Sequence, residues 1–311
     1  MKHWTEEELE TLVFMKNCGL TWSEINPEFP GETQNSLRKT YYRHIRKEPV
    51  NNVGPKVLLL DIETLPMEAY VWGLFDQNIG LEMVKTDWSI LSFSAKWLGA
   101  PENEVMYYDT RDEENVRDDS NLVKIIHGLL DECDVTITQN GIRFDIPKLN
   151  ARFIKHGLTP PSSYRNIDTM RIAKSKFGFT SNKLAYMTEL LCTKYKKLDH
   201  SEFSGFKLWS ECMKGNLAAF ESMKKYNMYD VLSLEELYLI MAPWDKTINF
   251  SVFNDEDLSH RCSCGNDQFE ESGFVYTNTA KFQRHKCTVC GKEHRDSTNL
   301  LSKEKRKSIK R

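Results

Sequence analysis

Hydrophobic and polar positions change period along the chain. KVLLL at 56–60 is continuous strand-type sequence, which then alternates through Asp61, Ile62, Glu63, Thr64 and Leu65. An apolar run of this length suits a buried strand, and alternation after it puts every second residue on one face. SILSFSAKWL at 89–98 and EVMYY at 104–108 have the same character, whereas NLVKIIHGLLDEC at 121–133 spaces its apolar residues at helical intervals. DVTIT at 134–138 is another strand-like burst, and from there to LEELYLIMAPW, ending at residue 244, the pattern is mostly helical. Strands, helix, strand and helices in this order predict an α/β domain over 56–244 built on a mixed sheet. Residues 1–47 read as helical, 260–298 as a short cysteine-rich module and 299–311 as a basic tail. The segments 48–55, EPVNNVGP, and 245–259 read as linkers.

Composition narrows the class. An apolar fraction of 40% with 28% charged residues is that of a globular protein with a sizeable core, neither disordered nor membrane-embedded. The first residues, MKHWTEEELE, are charged where a signal peptide is apolar, and no apolar run reaches the length of a membrane span, so a cytoplasmic location is expected. The net charge of -3 conceals an asymmetry: residues 281–311 carry eleven Lys or Arg against three acids. A basic end on an acidic protein points to a polyanionic partner. Cys18, Cys133, Cys192 and Cys212 are scattered, but Cys262, Cys264, Cys287 and Cys290 crowd together, which in a reducing compartment indicates metal ligands.

Asp61 and Glu63 stand two apart in a strand and so share a face. An isolated D-x-E also occurs where a strand simply ends. Two carboxylates about 4 Å apart repel by roughly 4 kcal/mol at an effective dielectric near 20, so this pair calls for a cation. Asn140 and Asp145 follow the strand VTIT directly, and Tyr226 and Asp230 lie four apart on one helical face. These segments, VLLLDIETLP, VTITQNGIRFDIPKLNARF and MKKYNMYDVLSLEELY, resemble the Exo I, Exo II and Exo III motifs of the DEDD 3'→5' exonucleases in their tyrosine-bearing (DEDDy) branch. The likeness is closest to the YprB-like, DnaQ-like ribonuclease H-like exonucleases of bacteria and bacteriophages. It covers about residues 56–244, including NIDTMRIAKSKFGFTSNKLAYM. It implies a ribonuclease H-like mixed five-stranded sheet with flanking helices and two Mg²⁺ or Mn²⁺ ions. By the resemblance Asp61 bridges the two ions, Glu63 and Asp230 complete the first site, Asp145 holds the second, Tyr226 orients the attacking water and Asn140 contacts substrate. Many relatives carry His or Tyr where this chain has Gln139. Asp168 reads as a helix N-cap rather than a fifth acid, and Tyr226 has packing against a helix as its alternative role.

HWTEEELETLVFMKNCGLTWSEINPEFPGETQNSLRKTYYRHI resembles a single Myb/SANT-like three-helix domain, with Trp4, Trp22 and Tyr41 as aromatic core and Thr5 and Glu8 as a capping box. Leu37, Tyr41 and Ile45 face inward at i, i+4 and i+8. That leaves Asn35, Arg38, Lys39, Tyr42, Arg43 and Arg46 outward, a face suited to DNA, with Arg38, Lys39 and Arg43 as candidate contacts. SANT-like domains also bind proteins, and the acidic first helix keeps that alternative open. HRCSCGNDQF and HKCTVCGKEHR look like the two halves of a zinc ribbon holding one structural zinc through Cys262, Cys264, Cys287 and Cys290. Cys262-x-Cys264 is one residue short of the usual knuckle, which leaves His260, and less directly His285 or His294, as substitute ligands. The expectation is a metal-dependent 3'→5' exonuclease acting on nucleic acid, with DNA favoured. An RNA exonuclease is one alternative, and a DNA-binding regulator using the fold as scaffold is the other.

Overall fold

The computed structural model describes residues 4–17, 20–45, 54–195, 203–253 and 260–310. The chain divides into two compact units between Val53 and Gly54. The first contains α1 (Glu6–Asn17), α2 (Trp22–Ile25) and α3 (Gln34–Ile45). The expected capping box opens α1: the Thr5 N–H donates to Glu8 at 3.0 Å and the Glu8 N–H to the Thr5 hydroxyl at 3.2 Å. Leu12, Ile25, Phe29, Leu37 and Tyr41 form the core. Trp22 meets Tyr41 edge-on at 5.4 Å, while Trp4 packs on Phe29, an aromatic that the spacing argument passed over, at 5.5 Å. Arg38 is half-buried. The side chains of Asn35, Lys39, Tyr42, Arg43 and Ile45, and all of Arg46, lie outside the described residues, as does Cys18.

The second unit begins with β1 (Val57–Leu65), β2 (Glu68–Ala69), β3 (Val84–Thr86), β4 (Ser89–Trp97) and β5 (Met106–Asp109). Then come α4 (Ser120–Glu132), β6 (Val135–Thr138), α5 (Asp145–Lys155), β7 (Arg165–Asp168), α6 (Thr169–Lys176), α7 (Leu184–Leu191), α8 (Lys207–Met213) and α9 (Leu217–Met241). The five-stranded sheet runs β5-β4-β1-β6-β7, with β4 antiparallel to β1 and to β5, and β6 parallel to β1 and to β7. This is the mixed ribonuclease H-like α/β arrangement. Strand β7, Arg-Asn-Ile-Asp, has one apolar residue in four, so hydrophobic pattern does not reveal it. The chain ends in a three-stranded antiparallel sheet of β8 (Phe269–Tyr276), β9 (Lys281–Cys287) and β10 (Glu293–Arg295). The basic segment after it is not a plain tail: α10 (Lys303–Ser308) is capped by the Ser302 hydroxyl, which accepts from the Lys305 N–H at 3.1 Å. Among the described residues no helix is long and apolar enough to cross a membrane.

Strand β1 is buried on both faces and sorts its side chains by parity. Leu58, Leu60 and Ile62 pack with Leu122, Val123, Ile126 and Leu130 of α4 and with Leu149 and Phe153 of α5. On the other face Val57 and Leu59 join Ile172, Met187 and the Val231–Met241 end of α9. Leu65 joins Leu208, Phe220 and Met223, where α8 meets the start of α9. Between those two apolar clusters, on that same face, stand Asp61 and Glu63. A β-bulge between Glu63 and Thr64 breaks the ladder just past them. Helix α9 lays a buried row of Phe220, Met223, Asn227, Val231, Leu234, Tyr238 and Met241 across the sheet. Each large apolar member stabilises the packing by about 1.5–3 kcal/mol, so the helix is clamped on both sides of the acidic gap.

The turn from β6 to α5 is built for one shape. Asn140 has φ +63, a left-handed conformation that Asn tolerates. At Gly141 an added Cβ would lie 2.2 Å from the Thr138 hydroxyl oxygen and 2.4 Å from its Cβ. Thr138 is fully buried and β-branched, so it has little freedom to yield. Gly141→Ala is therefore expected to lower stability by about 1–3 kcal/mol, read as a drop in denaturation midpoint; an unchanged midpoint would show that the turn has room that this geometry denies it.

Candidate functional site

Parity on β1 and helical phase on α9 bring the acids together. Asp61, Glu63 and Asp230 each place a carboxylate oxygen within 4.8 Å of the others. Asp145, the first residue of α5, stands beside this triplet, its carboxylate accepting the Ile62 N–H at 3.2 Å. Tyr226, one turn before Asp230, hydrogen-bonds to it and is half-buried. The structure thus gathers Asp61, Glu63, Asp145, Tyr226 and Asp230. Asn140 lies at the end of β6, with its backbone N–H held by Asp168.

Several residues that the motifs did not flag complete the site. Asn227, fully buried on α9, donates its amide N–H to the Asp61 carboxylate at 2.6 Å. Trp209 on α8 hydrogen-bonds to Glu63 and meets Tyr226 edge-on at 6.4 Å. Across β4, Ser94 stands opposite Asp61 and Ser92 opposite Glu63, small polar residues on the acidic face. Next along that face, buried Lys96 spends its charge on Glu235 of α9 at 2.7 Å and so does not serve the carboxylates. Asp168 caps α6 through the Met170 and Arg171 N–H groups, as expected, and also holds the β6–α5 turn. Gln139 accepts from the Thr169 hydroxyl at 2.5 Å and donates to the Asn182 carbonyl at 2.9 Å, a structural role.

Burial pushes all four carboxyls upward. Asp61 is raised well above the usual range by burial and then by the charges of Asp145, Asp230 and Glu63. Glu63 rises to about 8 by burial and by Asp230 and Asp145. Asp145 rises to about 7 and Asp230 to about 6, burial leading in each case. The donors that oppose these shifts are neutral side chains or backbone N–H groups: Asn227, Trp209, Tyr226 and Ile62. Among the described residues no Lys or Arg is a leading cause of any of the four shifts. A cluster of hard oxygen donors without a protein cation fits Mg²⁺ or Mn²⁺. Asp61, Glu63 and Asp230 form the donor set, with Asp145 at its side.

A second cluster is made of sulfur. Cys262 and Cys264 lie in a turn closed by Gly265 (φ +87), Cys287 ends β9 and Cys290 precedes Gly291 (φ +75). The four sulfurs lie within 4.8 Å of one another, with Cys262–Cys290 at 3.4 Å and Cys264–Cys287 at 3.6 Å. The short Cys262-x-Cys264 spacing therefore needs no histidine substitute. His294 sits 3.4 Å from the Cys262 sulfur, His260 is 2.9 Å from His294, and His285 faces Asp296 at 2.9 Å. Four thiolates with hydrogen-bonding neighbours fit a closed tetrahedral zinc site. Lys292, only 5% exposed, lies beside them. Burial pulls its pKa down, while Asp245 and the sulfurs favour its charged form.

Two outcomes follow from this chemistry. A carboxyl whose pKa is higher folded than unfolded favours folding at low pH, and that stability is lost as pH rises through the folded value. Metal-free protein should accordingly melt at falling temperatures as pH rises from the usual 4.5 toward the value near 8 held by Glu63. Saturating Mg²⁺ should flatten that fall. Asp61→Asn should leave the metal-free melting temperature unchanged or raised, since it removes repulsion and can still accept from Asn227; a strongly destabilised variant would mean that the repulsion is compensated by something else. Elemental analysis should find about one zinc per chain, the complement of a four-thiolate site. Folded protein purified without zinc would remove the sulfur cluster from the metal sites.

No curated protein matches the chain. A family model described as the RNase_H superfamily matches residues 90–242. That span runs from β4 to just past α9 and contains Asp145, Tyr226 and Asp230, while Asp61 and Glu63 precede it. Among solved structures, the family B DNA polymerase from the hyperthermophilic archaeon Pyrobaculum calidifontis is similar over 61% of this chain and 25% of its own, with 13% identity and a TM-score of 0.40. The chain thus spans about a quarter of that polymerase's length. Residues 90–242 carry a domain of the RNase H superfamily.

Proposed function

We propose that this protein is a divalent-metal-dependent 3'→5' exonuclease of the DEDDy type, releasing nucleoside 5'-monophosphates from DNA. The observation that carries the reading is the convergence of Asp61, Glu63 and Asp230 within 4.8 Å, with no Lys or Arg among the described residues as a leading offset to their charge. A scaffold protein has no reason to keep that repulsion. On this reading Asp61, Glu63 and Asp230 would hold one Mg²⁺ or Mn²⁺, and Asp145 with Asp61 would hold a second. Bound ions would stabilise the negative charge that builds on the entering and departing oxygens of an in-line displacement. In the reaction the water oxygen bonds to phosphorus, the bond from phosphorus to the 3'-oxygen breaks, and a proton passes to that 3'-oxygen.

Tyr226 has a role that its environment defines. Burial, and then the charges of Asp230, Glu63 and Asp61, push its pKa far above the usual 10. The phenol therefore stays protonated at neutral pH and is no general base. It donates to Asp230, and on this reading its oxygen accepts from the attacking water and so orients it. Asn227 holds Asp61 in one rotamer, and Trp209 does the same for Glu63.

The flanking parts are assigned by the same reading. Residues 1–47 are a Myb/SANT-like module that supplies nucleic-acid affinity, residues 56–244 the exonuclease domain, residues 260–298 a zinc ribbon and residues 299–311 a basic segment near the substrate. The core of the first module, with Phe29, Tyr41, Trp4 and Trp22 in it, and the four converging sulfurs in the ribbon support this division.

With Mg²⁺, 5'-end-labelled DNA should shorten in a ladder from its 3' end, and the products should be 5'-monophosphates. Internal cuts, or no hydrolysis at all, would contradict the reading, and a ladder on RNA alone would change its substrate. Tyr226→Phe should slow the single-turnover step by roughly ten- to a thousandfold, about 1.4–4 kcal/mol, without shifting the Mg²⁺ dependence. Asp230→Asn should raise the Mg²⁺ requirement as well.

A further inference from the structure

A cavity of about 320 Å³ opens beside the β6–α5 turn, lined among others by Asn140, Arg143, Asp168, Arg171, Lys174 and Ser175. Three of these six are cations, all exposed, and none forms an ion pair among the described residues. The single acid does not balance them. Asp168 accepts N–H groups from Asn140 at 3.0 Å, Met170 at 3.0 Å, Arg171 at 3.3 Å and Ile142 at 3.4 Å, so its charge is committed to the backbone. Two of these bonds engage the Met170 and Arg171 N–H groups in the first turn of α6, so recognition of an anion here falls chiefly to the side chains. No aromatic residue lines the cavity, so it offers no surface on which a base would stack.

The cavity also adjoins the acidic cluster through the chain itself. Arg143 is two residues before Asp145, and Asn140 begins the turn that delivers both. A strand whose end lies at the carboxylates and passes over this turn would bring its backbone to Arg143, Arg171 and Lys174. We propose that the cavity binds a phosphodiester phosphate of the substrate strand, away from the bond being cut, with Arg171 and Lys174 as its principal contacts. This rests on the exonuclease reading. It separates two demands on one polyanion: the carboxylates need metal ions to approach a phosphate, whereas this site takes one directly.

The test uses the full chain carrying Asp61→Asn, so that bound strand is not cut, and a labelled single-stranded DNA oligonucleotide. The binding constant is followed against salt concentration. Neutralising one phosphate of a single strand contributes about 0.7 to the log–log slope. Arg171→Ala with Lys174→Ala, which empties this one-phosphate site, should lower the slope by about 0.7. The exchange Arg171→Lys with Lys174→Arg should keep it, and so should Lys124→Ala with Lys155→Ala, an equal loss of charge on exposed positions of α4 and α5. Binding with an unchanged slope in the first pair would overturn the site and leave the exonuclease reading standing. An equal fall in the control pair would also overturn it, as a field effect of total charge. No binding by the Asp61→Asn parent at any salt concentration would remove both readings.

Discussion

The repulsion among Asp61, Glu63, Asp145 and Asp230 has to be resisted by packing, because among the described residues no Lys or Arg is a leading influence that offsets it. Strand β1 meets that demand by being buried on both faces, and α9 by being anchored in two apolar clusters that leave a gap between them. Carboxylates on a mobile loop would relax apart. Held on a central strand and a 25-residue helix, they stay within reach of one another and of a metal ion. The bulge after Glu63 and the serines opposite both acids are parts of the same arrangement, since they end the regular ladder and keep bulk away.

How much of this was legible in the sequence depends on whether a residue's partner is near it in the chain. Asp61 and Glu63 two apart, and Tyr226 and Asp230 four apart, declare a shared face by periodicity alone. The β1, β4 and β6 runs announce themselves by apolar density, and the Thr5–Glu8 box by a fixed offset. Asn227 does not, because a polar residue in a helix reads as a surface residue until its partner 166 positions away is known. Trp209 hides in the same way. The alternation Ser92, Ser94, Lys96 along β4 was a usable signal, a polar stripe in a strand whose other residues after Ser89 are apolar. Strand β7 was not legible, because pairing with β6 rather than hydrophobicity makes it a strand. Asp168 was readable as a cap but not as the anchor of a second loop.

The sulfur cluster and the acidic cluster meet the same problem with different means. Four cysteines crowded into a small three-stranded sheet have little apolar core to hold them, and a metal would supply the missing cross-link. The sheet is joined to the chain just beyond α9: the Ser251 hydroxyl donates to the Arg261 carbonyl at 2.9 Å, and Lys246 faces Glu293 at 3.6 Å. The long helix thus carries Tyr226 and Asp230 toward one end and reaches the cysteine module at the other, where Tyr238 feels the charge of Cys262. Buried Lys292 places the positive charge beside the sulfurs that the carboxylate site lacks.

The central claim is that the acidic gap between β1 and α9 is a binding site for hard divalent cations. Anomalous diffraction from crystals soaked in Mn²⁺ tests it most directly. The account predicts a manganese peak coordinated by Asp61, Glu63 and Asp230, absent in Asp61→Asn crystals treated alike. Crystals with no peak at that position, in which the carboxyls instead hydrogen-bond one another as neutral acids, would contradict it.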